Sequence, residues 1–431
     1  MSLKHSRTGK IAIIGGGIAG LTAAYLLREK FDITLFEKAE RLGGNAYAIT
    51  TPEGETADIA TAAFGSSSYR NVLKLFRKLN IETVGAFRIS PCRLSGPGAG
   101  FCDLDTKKGF FLTPGLRGLV AQNFEVLRPA NVRNILQLMQ GLTKGQELSR
   151  RGDLAGLTLE EALKKIPQFQ GDVKLIFMGS LCLISSMHCS DVLDAPAVFF
   201  FDKLKKYNDL IPPKALFSVR FAKDGTNSYV RALSARYQDG IVLNAQIRTV
   251  RRLDGHVLVC MEDGKELFFD TIIFACNADQ ALDLLQEPTH EERRLLGVWR
   301  YTEGKVVVHT DHSLFPDRDL TDGYTFLYQV KGRYIETSVS GSLRSLPGIS
   351  RSCDLISTQH PNFPIRRDRM LFEKVFRTPI FDRRSCPTIP LLPSLNGVKN
   401  TYYCGSHFGF GLHEDAVTSA IEVAGMLNVD F

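Results

Sequence analysis

The sequence has few of the features that mark several common protein classes. Its nine cysteines are scattered through 431 residues without a CxxC pair, which excludes a disulfide-dense scaffold and a cysteine-ligated zinc site. It has no HExxH or GxSxG motif, so we expect neither a metal site nor a serine nucleophile. No apolar run reaches the roughly 18 residues that a membrane span requires. Because the chain runs from MSLKHSRTGK directly into a strand-like segment, we expect a cytoplasmic protein.

Blocks of like charge are also missing. The net charge is +7, but lysine and arginine are spread along the whole chain, so no nucleic-acid partner is indicated. A mildly basic surface suits an acidic carrier protein or an anionic lipid, which leaves a peripheral membrane contact open. Hydrophobic residues at 44% and charged residues at 23% are typical of a folded globular protein. The length exceeds the roughly 300 residues at which single cores stop growing, which predicts two or three domains. The oligomeric state stays open.

The first 37 residues contain a complete dinucleotide-binding pattern. A strand-like run at 10–14 ends in the turn GGGIAG at 15–20, helical spacing follows, and a second strand-like run ends at Glu37. Gly15 permits the tight turn, Gly17 lets the backbone approach a pyrophosphate, and Gly20 allows the helix to pack closely on the strand. The helix N-terminus offers N–H groups to the phosphates, and the acid accepts hydrogen bonds from a ribose. The candidate residues are Gly15, Gly17, Ile18, Ala19, Gly20, Glu37 and Lys38.

A second glycine-rich segment, RLGGN at 41–45, favours a flavin dinucleotide over a nicotinamide one. With an acid near Asp58, it resembles the second motif of the glutathione-reductase-type FAD-binding fold. The resemblance implies that the paired glycines bring the backbone against the diphosphate and the flavin. It adds Gly43, Gly44 and Asn45 to the candidate cofactor-binding residues, while an ordinary glycine-rich loop is the alternative interpretation.

The C-terminus carries a matching strand, turn and helix. Together with three internal segments it resembles the flavin-containing amine oxidoreductase family, which includes monoamine and polyamine oxidases, protoporphyrinogen oxidase and carotene desaturases. The resemblance is closest to a bacterial branch of predicted NAD/FAD-binding amine oxidoreductases, often associated with lipid-modifying genes. The matching segments are DGTNSYV at 224–230, FACNADQAL at 274–282, VHTDHSLFP at 308–316 and CGSHFGFGLHED at 404–415. The last of these adds Gly405, Ser406, Leu412 and His413 as candidate flavin-binding residues.

The resemblance implies an α/β fold in which a Rossmann-like FAD-binding domain of the glutathione-reductase type is joined to a discontinuous α+β substrate domain. Strand-like runs between 240 and 276, separated by DG turns, predict a small meander that returns to the nucleotide domain. In the family, the residue equivalent to Ile247 contacts adenine through its backbone. We predict a FAD-binding domain from 1–65, 220–290 and 395–431, and a substrate domain from 66–219 and 291–394.

The predicted substrate domain gives weaker signals. Helical patterns cover 66–83, 116–144 and 157–210, and strand patterns cover 109–112 and 324–338. Its phenylalanines suit either core packing or an apolar tunnel for an acyl or polyene chain. They include Phe101, Phe110, Phe111, Phe199, Phe200 and Phe201. The last three precede Lys203, Lys205 and Lys206. This arrangement suits a membrane or carrier contact, or a buried helix with a solvated lysine face.

Candidate catalytic residues come mainly from the resemblance. Many amine oxidases have a lysine that bonds through water to flavin N5, about 30 residues past the returning nucleotide strand, and Lys305 stands 29 residues after Cys276. A solvent-facing strand lysine is the alternative. His413 is a candidate for proton transfer, or for a structural role at a helix N-terminus. Leu412 stands where amine oxidases commonly place an aromatic residue, which weakens the case for a simple amine substrate. No attachment residue is evident, so we expect non-covalent FAD.

These observations predict a FAD-dependent oxidoreductase. We expect hydride transfer to flavin N5 from a hydrophobic substrate, free or carrier-bound, such as an acyl chain, a lipid or a natural-product intermediate. Three alternatives stay open: oxidation of a carbon–nitrogen bond, flavin-dependent double-bond isomerisation, and a FAD-binding scaffold without turnover. The sequence does not choose between oxygen and another electron acceptor.

Overall fold

A five-stranded parallel sheet is built from short apolar runs separated by turns and helices. In the computed structural model, β1 (Lys10–Ile14) pairs in parallel with β2 (Asp32–Phe36) on one side and with β16 (Thr271–Phe274) on the other. Strands β12 (Ile241–Val242) and β22 (Thr401–Tyr403) complete the order β12-β2-β1-β16-β22. Ile11 and Ile13 of β1 pack on one face of the sheet, and Ala12 and Ile14 on the other. Both faces are therefore buried, as a parallel sheet covered by helices requires.

The structure describes residues 9–60, 63–85, 88–90, 93–95, 98–105, 109–112, 128–211, 214–313, 323–331, 334–346, 348–350 and 352–431. Only the backbone is described for 88–90, 93–95, 98–103, 109–112, 216–217 and 334. The helices are α1 (Ile18–Leu27), α2 (Arg70–Lys78), α3 (Pro129–Arg151), α4 (Leu159–Lys165), α5 (Gly171–Ser185), α6 (Cys189–Asp194), α7 (Ala197–Lys206), α8 (Ala215–Ser218), α9 (Thr226–Ser234), α10 (Ala278–Leu284), α11 (His290–Leu296) and α12 (His413–Met426).

The strands, in chain order, are β1 (Lys10–Ile14), β2 (Asp32–Phe36), β3 (Tyr47–Thr50), β4 (Thr56–Ala60), β5 (Ala63–Gly65), β6 (Thr83–Gly85), β7 (Arg88–Ser90), β8 (Arg93–Ser95), β9 (Gly98–Asp103), β10 (Gly109–Leu112), β11 (Val219–Ala222), β12 (Ile241–Val242), β13 (Ile247–Arg252), β14 (Val257–Met261), β15 (Glu266–Phe269), β16 (Thr271–Phe274), β17 (Arg300–His309), β18 (Gly323–Lys331), β19 (Tyr334–Ser342), β20 (Ile356–Gln359), β21 (Met370–Ile380) and β22 (Thr401–Tyr403).

A seven-stranded mixed sheet forms the second layer, in the order β10-β9-β18-β19-β20-β17-β21. Its strands are antiparallel to their neighbours, except that β9 runs parallel to β18. Helices α5 and α6 pack against β19, and hairpin β3–β4 packs against β17 through Ala57, Ile59 and Val306. This hairpin directly follows the RLGGN segment, so it connects the glycine-rich region with the large sheet.

The predicted fold class is confirmed by this architecture. The meander of 240–276 forms the antiparallel sheet β13-β14-β15 before β16 enters the parallel sheet. The five parallel strands all lie within the ranges predicted for the FAD-binding domain, although the division into two domains stays a prediction. The predicted helix at 116–144 is found from Pro129 onward; residues 116–127 lie outside the described residues, as do the side chains of Phe101, Phe110 and Phe111.

Helix α7 is buried along the side that carries its three phenylalanines, whereas Lys205 and Lys206 at its C-terminal end are exposed. Phe199, Phe200 and Phe201 are 7%, 0% and 1% exposed, and Lys203 is 1% exposed. Lys203 donates to the Ile184 carbonyl oxygen at 3.1 Å, and burial lowers its pKa to about 8. The phenylalanines therefore pack in the core, which favours that interpretation over a membrane or carrier contact at this helix.

Candidate functional site

The turn between β1 and α1 is shaped by close backbone contacts. Gly15 has a φ of 110°, and a Cβ on it would lie 2.8 Å from the Ala275 carbonyl oxygen. A Cβ on Gly20 would overlap the Gly15 carbonyl oxygen. Gly17, in contrast, has no atom within 4 Å of its Cβ position. It caps α1 without a side-chain hydrogen bond, and the first turn of α1 has no acid, so this helix end is open to an anion.

The side chains of Ile18 and Ala19, in the first turn of α1, are 9% and 4% exposed. They anchor the helix in the core, and only their backbone N–H groups remain for a ligand. Glu37 is fixed beside them, because its Oε2 accepts from the Gly16 N–H at 2.7 Å and its Oε1 from the Ala39 N–H at 2.9 Å. The half-buried carboxylate thus stands at the end of β2, where the ribose of a dinucleotide is predicted.

The paired glycines lie against the same turn. The Gly43 N–H donates to the Gly16 carbonyl oxygen at 2.9 Å, and Gly43 forms a parallel bridge with Gly17. Gly44 has a φ of 57°, and a Cβ on it would lie 3.2 Å from the Gly17 Cα. We call Gly16, Gly17, Gly43 and Gly44 the glycine cradle. Larger residues would fill it, so its residue types suit a ligand that approaches the backbone closely.

Three further candidates lie around the cradle. The Asn45 Nδ2 donates to the Arg377 carbonyl oxygen at 3.2 Å, which ties the cradle to β21. Lys38 is exposed, and its side chain extends toward Gln280. When the Gln280 amide is oriented so that its oxygen faces Lys38 and Arg377, that oxygen accepts from Lys38 Nζ at 2.7 Å. Ile247 is half-buried. Its backbone follows Ala245, whose N–H donates to the Glu37 carbonyl oxygen at 2.9 Å. The backbone next to Ile247 therefore runs beside Glu37, and its contact with adenine stays a prediction.

The C-terminal segment is the continuation of β22. Gly405 has a φ of 155°, and its N–H donates to Ser419 Oγ at 3.0 Å. The Ser406 carbonyl oxygen accepts from the N–H groups of Gly409 and Gly411 at 3.2 and 3.1 Å. A tight turn therefore leads from β22 to Leu412, the N-cap of α12.

Asp415 holds this turn through four hydrogen bonds. Its Oδ2 accepts from the N–H groups of Phe410 and Leu412, both at 3.0 Å. Its Oδ1 accepts from the Tyr207 hydroxyl at 2.7 Å and from Lys206 Nζ at 2.9 Å. The Asp415 side chain is 2% exposed. The sequence indicated only a helix-terminal acid here, and the link to α7 has no sequence signal because its two partners lie about 200 residues away.

His413 faces the core. Its Nε2 lies 2.9 Å from the Tyr229 hydroxyl, and its ring packs edge-on against Phe64 and Tyr229. Burial lowers its pKa to about 4, so the ring is neutral near pH 7. These contacts favour the structural role for the side chain and leave the backbone N–H as its contribution at the helix end. Proton transfer by His413 stays a prediction.

Lys305 lies on β17 with its amine directed to solvent. Its side chain is 47% exposed, and Nζ forms an ion pair with Glu373 Oε2 at 2.8 Å. The neighbouring Val306 packs inward against the β3–β4 hairpin. This arrangement favours the solvent-facing alternative, and the catalytic assignment of Lys305 stays a prediction.

A small cavity lies between β4 and the large sheet, and one buried carboxyl, Asp58, lines it. Asp58 Oδ1 accepts from the N–H and the hydroxyl of Thr226 at 2.8 and 2.6 Å. Burial raises its pKa to about 6, against the opposing effect of the Thr226 hydrogen bonds. Thr226 begins α9, and Val230, one turn later, lies 3.4 Å from the Cβ position of Gly43. About one turn of α9 therefore separates Thr226, which contacts Asp58 at the cavity, from Val230, which lies beside Gly43 of the glycine cradle.

Four features together define a dinucleotide-binding protein: the parallel sheet, the open end of α1, the glycine cradle, and Glu37 at the end of β2. The described residues fit FAD: the glycine cradle places no side chain between its backbone and a diphosphate at the open end of α1, and a Cβ on Gly17 would meet no atom within 4 Å. Burial raises the pKa of Cys386 to about 12 and raises that of Cys404 as well. Because covalent attachment requires a thiolate, these values support the expectation of non-covalent FAD.

Comparison with known proteins agrees with this class. The family model of flavin-containing amine oxidoreductases matches residues 18–365, so the chain belongs to this family. Members of the family are flavin-containing oxidoreductases, and the predicted family and FAD cofactor are confirmed. Within the described residues, no helix is both long and apolar enough to cross a membrane. The cytoplasmic location stays a prediction.

Sequence similarity to curated relatives is confined to short segments. Flavin-containing amine oxidase A of Canis lupus familiaris is 36% identical over 74 residues, which are 17% of this chain and 14% of that protein. A 4,4'-diapolycopen-4-al dehydrogenase of Metabacillus indicus is 52% identical over 50 residues, which are 11% of this chain and 10% of that protein. The match therefore spans about a seventh of the length of the first of these relatives and a tenth of the second.

Similarity of fold extends over the whole chain. A fatty acid isomerase from P. acnes that produces CLA superimposes with a TM-score of 0.68 at 16% identity, covering 99% of this chain and 100% of that one. Cyclohexylamine oxidase from Brevibacterium oxydans IH-35A gives a TM-score of 0.68 at 12% identity, covering 97% and 99%. At these identities the likeness shows the fold alone.

Proposed function

We propose that the protein is a FAD-dependent oxidoreductase that takes hydride from a hydrophobic substrate, an acyl chain, a lipid or a natural-product intermediate. The observation that carries the proposal is the glycine cradle beside the open end of α1. FAD, when bound, supplies a hydride acceptor.

The chain's own residues bind and enclose the cofactor. When FAD is bound, the cradle and the first turn of α1 would hold its diphosphate, and Glu37 would hold its ribose. Behind the turn that precedes α12, the rings of Phe381 and Phe410 pack against Phe199, with centroids 4.4 and 5.2 Å from that of Phe199. Phe199 and Phe381 are buried and Phe410 is half-buried, so this side of the turn is apolar.

The hydrophobic substrate class is supported by Leu412, which gives the turn an aliphatic residue in place of an aromatic one. The 4,4'-diapolycopen-4-al dehydrogenase of Metabacillus indicus, which is 52% identical over 50 residues, is named for a long apolar substrate. Oxidation of a carbon–nitrogen bond is the second candidate, since the Asp58 carboxyl in the cavity suits a protonated amine.

Anaerobic reduction tests the proposal. The FAD-loaded protein is mixed without oxygen with an unsaturated fatty acid, its acyl thioester or cyclohexylamine, and the visible flavin band is followed. We expect the acyl compounds to bleach the band. Bleaching by the amine alone would support the second candidate. Formation of a rearranged fatty acid without lasting bleaching would identify an isomerase, and no change with any compound would favour a scaffold.

A further inference from the structure

The cavity beside β4 has a polar side on which two hydroxyls lack a hydrogen-bond partner among the described residues. It lies between the end of the β3–β4 hairpin and one face of β18, β19 and β20. Its polar lining residues are Asp58, Tyr324, Ser342, Ser345, Ser357 and Gln359. The other lining residues are apolar, so these six residues decide which chemical groups the cavity accepts.

Two hydroxyls in this lining have no hydrogen-bond partner among the described residues. They belong to Ser345 and Ser357, and both oxygens are buried; Ser357 as a whole is 8% exposed. An unsatisfied buried hydroxyl opposes folding, and native structures pair nearly all of them. Two such groups in one cavity therefore indicate a partner from outside the chain, either a water molecule or a polar group of a ligand.

The other face of the same sheet shows the contrast. The Thr358 hydroxyl, next in sequence, lies 2.8 Å from the Ser340 hydroxyl and 2.8 Å from His309 Nε2. Both residues are buried and fully bonded within the protein. Within the described part of the chain, the buried Ser340 and Thr358 hydroxyls of one face are therefore paired, whereas Ser345 and Ser357 at the cavity are not.

Asp58 adds a carboxyl group whose second oxygen, Oδ2, is not bonded to Thr226. Both hydrogen bonds from Thr226 reach Oδ1, and none from the described part of the chain reaches Oδ2. Nearby, burial and the Asp58 charge raise the pKa of Tyr324 to about 12, so its hydroxyl stays neutral. At neutral pH the cavity therefore presents a hydrogen-bond acceptor together with hydroxyls that donate or accept.

We propose that this cavity binds a hydroxyl or protonated amine group of a ligand, with Asp58 Oδ2 as the acceptor and Ser345 and Ser357 as partners. An ionised carboxylate accepts hydrogen bonds and does not donate them, so N–H and O–H groups are favoured. Phosphates and carboxylates are disfavoured because they would meet the Asp58 charge. The location of this site does not depend on the proposed function. The inference rests on that function at one point, where it identifies the ligand as the substrate.

Ser357→Ala is the decisive variant, because it removes a hydroxyl that makes no hydrogen bond to any described residue. Titration calorimetry of the FAD-loaded protein with n-butylamine and with n-butanol measures binding without turnover. We expect wild type to bind at least one probe and Ser357→Ala to bind it roughly threefold to tenfold more weakly. The thermal unfolding midpoint of the variant should be unchanged or higher, since an unpaired buried group has been deleted.

Ser340→Ala is the matched control on the neighbouring strand. It removes a bonded hydroxyl on the opposite face, so its midpoint should fall while probe affinity is unchanged. Asp58→Asn should weaken butylamine more than butanol, which separates the amine from the hydroxyl as the bound group. Asp58 also accepts a hydrogen bond from the first N–H of α9. If Asp58→Asn fails to fold for that reason, the comparison of Ser357→Ala with Ser340→Ala still tests the site.

The inference is overturned if neither probe binds wild type, if Ser357→Ala binds both probes as wild type does, or if it loses as much thermal stability as Ser340→Ala. These results do not depend on flavin reduction. A protein that is reduced by an acyl compound but shows normal probe binding in Ser357→Ala refutes this site and leaves the proposed function intact. A protein that no acyl compound reduces, but whose Ser357→Ala variant binds the probe more weakly than wild type, refutes the proposed function and leaves this site intact.

Discussion

Replacing Asp415 by asparagine tests how the turn before α12 is held. The carboxylate accepts four hydrogen bonds, two from the N–H groups of Phe410 and Leu412 and two from Tyr207 and Lys206. Asparagine offers one carbonyl oxygen in place of two carboxylate oxygens. Its NH₂ group must then face either the two N–H donors or the hydroxyl and the ammonium, so at least two donors lose their acceptor.

The magnitude follows from burial. Hydrogen bonds to charged groups contribute roughly 1.5–3 kcal/mol each, and removing one partner of a buried charged cluster costs about 3–5 kcal/mol. We therefore expect the free energy of unfolding of Asp415→Asn to fall by about 3–5 kcal/mol. A loosened turn should also weaken FAD binding about tenfold or more, since each 1.4 kcal/mol lost at the site corresponds to about a factor of ten.

Urea unfolding of the apoprotein and fluorescence titration with FAD measure the two effects separately. Tyr207→Phe removes one donor and should cost about 1–2 kcal/mol. Lys206→Met removes an ammonium whose side chain is 46% exposed, so it should cost no more than about 1 kcal/mol. The reasoning is refuted if Lys206→Met is as costly as Asp415→Asn, or if Asp415→Asn unfolds and binds FAD like wild type.

Three further predictions concern single residues. Glu37→Ala removes the acceptor of the Gly16 N–H and of the predicted ribose, so FAD should bind at least about tenfold more weakly in a fluorescence titration; unchanged affinity would exclude the assignment. Burial raises the pKa of Asp58 from 3.8 to about 6; the folded state then holds a proton that the unfolded state releases, so stability decreases as pH rises through this window. Urea unfolding between pH 4 and 7 should show Asp58→Asn gaining about 3 kcal/mol relative to wild type over that range, and parallel curves would contradict the shift. The outward ion pair of Lys305 predicts that Lys305→Met leaves stopped-flow reoxidation of the reduced flavin by oxygen unchanged, whereas a slower rate would restore its catalytic role.

The glycine-rich turn was predictable because each glycine there answers a local geometric requirement. Gly15 adopts a positive φ, and Gly20 contacts the Gly15 carbonyl oxygen. Such requirements restrict the residue type, so the spacing of glycines between two apolar runs indicates the turn without knowledge of distant contacts. The same holds for Glu37, whose position is fixed by the length of the βαβ unit.

The supporting contacts of the site were not predictable, because they depend on which distant elements meet. Asp415 is bonded to α7, and Asp58 to the start of α9. Because successive side chains of a strand point to opposite faces of the sheet, the sequence predicts that Lys305 and Val306 lie on different faces of β17. It does not reveal which of these two faces is turned toward the site. Whether the Ser357 hydroxyl has a partner is likewise a property of the folded cavity and leaves no mark in the sequence.

The central claim, that the glycine cradle binds FAD, is tested most directly by the visible absorption spectrum of the purified protein, with acid precipitation and mass analysis of the released compound. We predict a yellow protein that releases intact FAD into the supernatant, as non-covalent binding requires. A colourless protein that also fails to take up added FAD would contradict the assignment of the cradle and every step built on it.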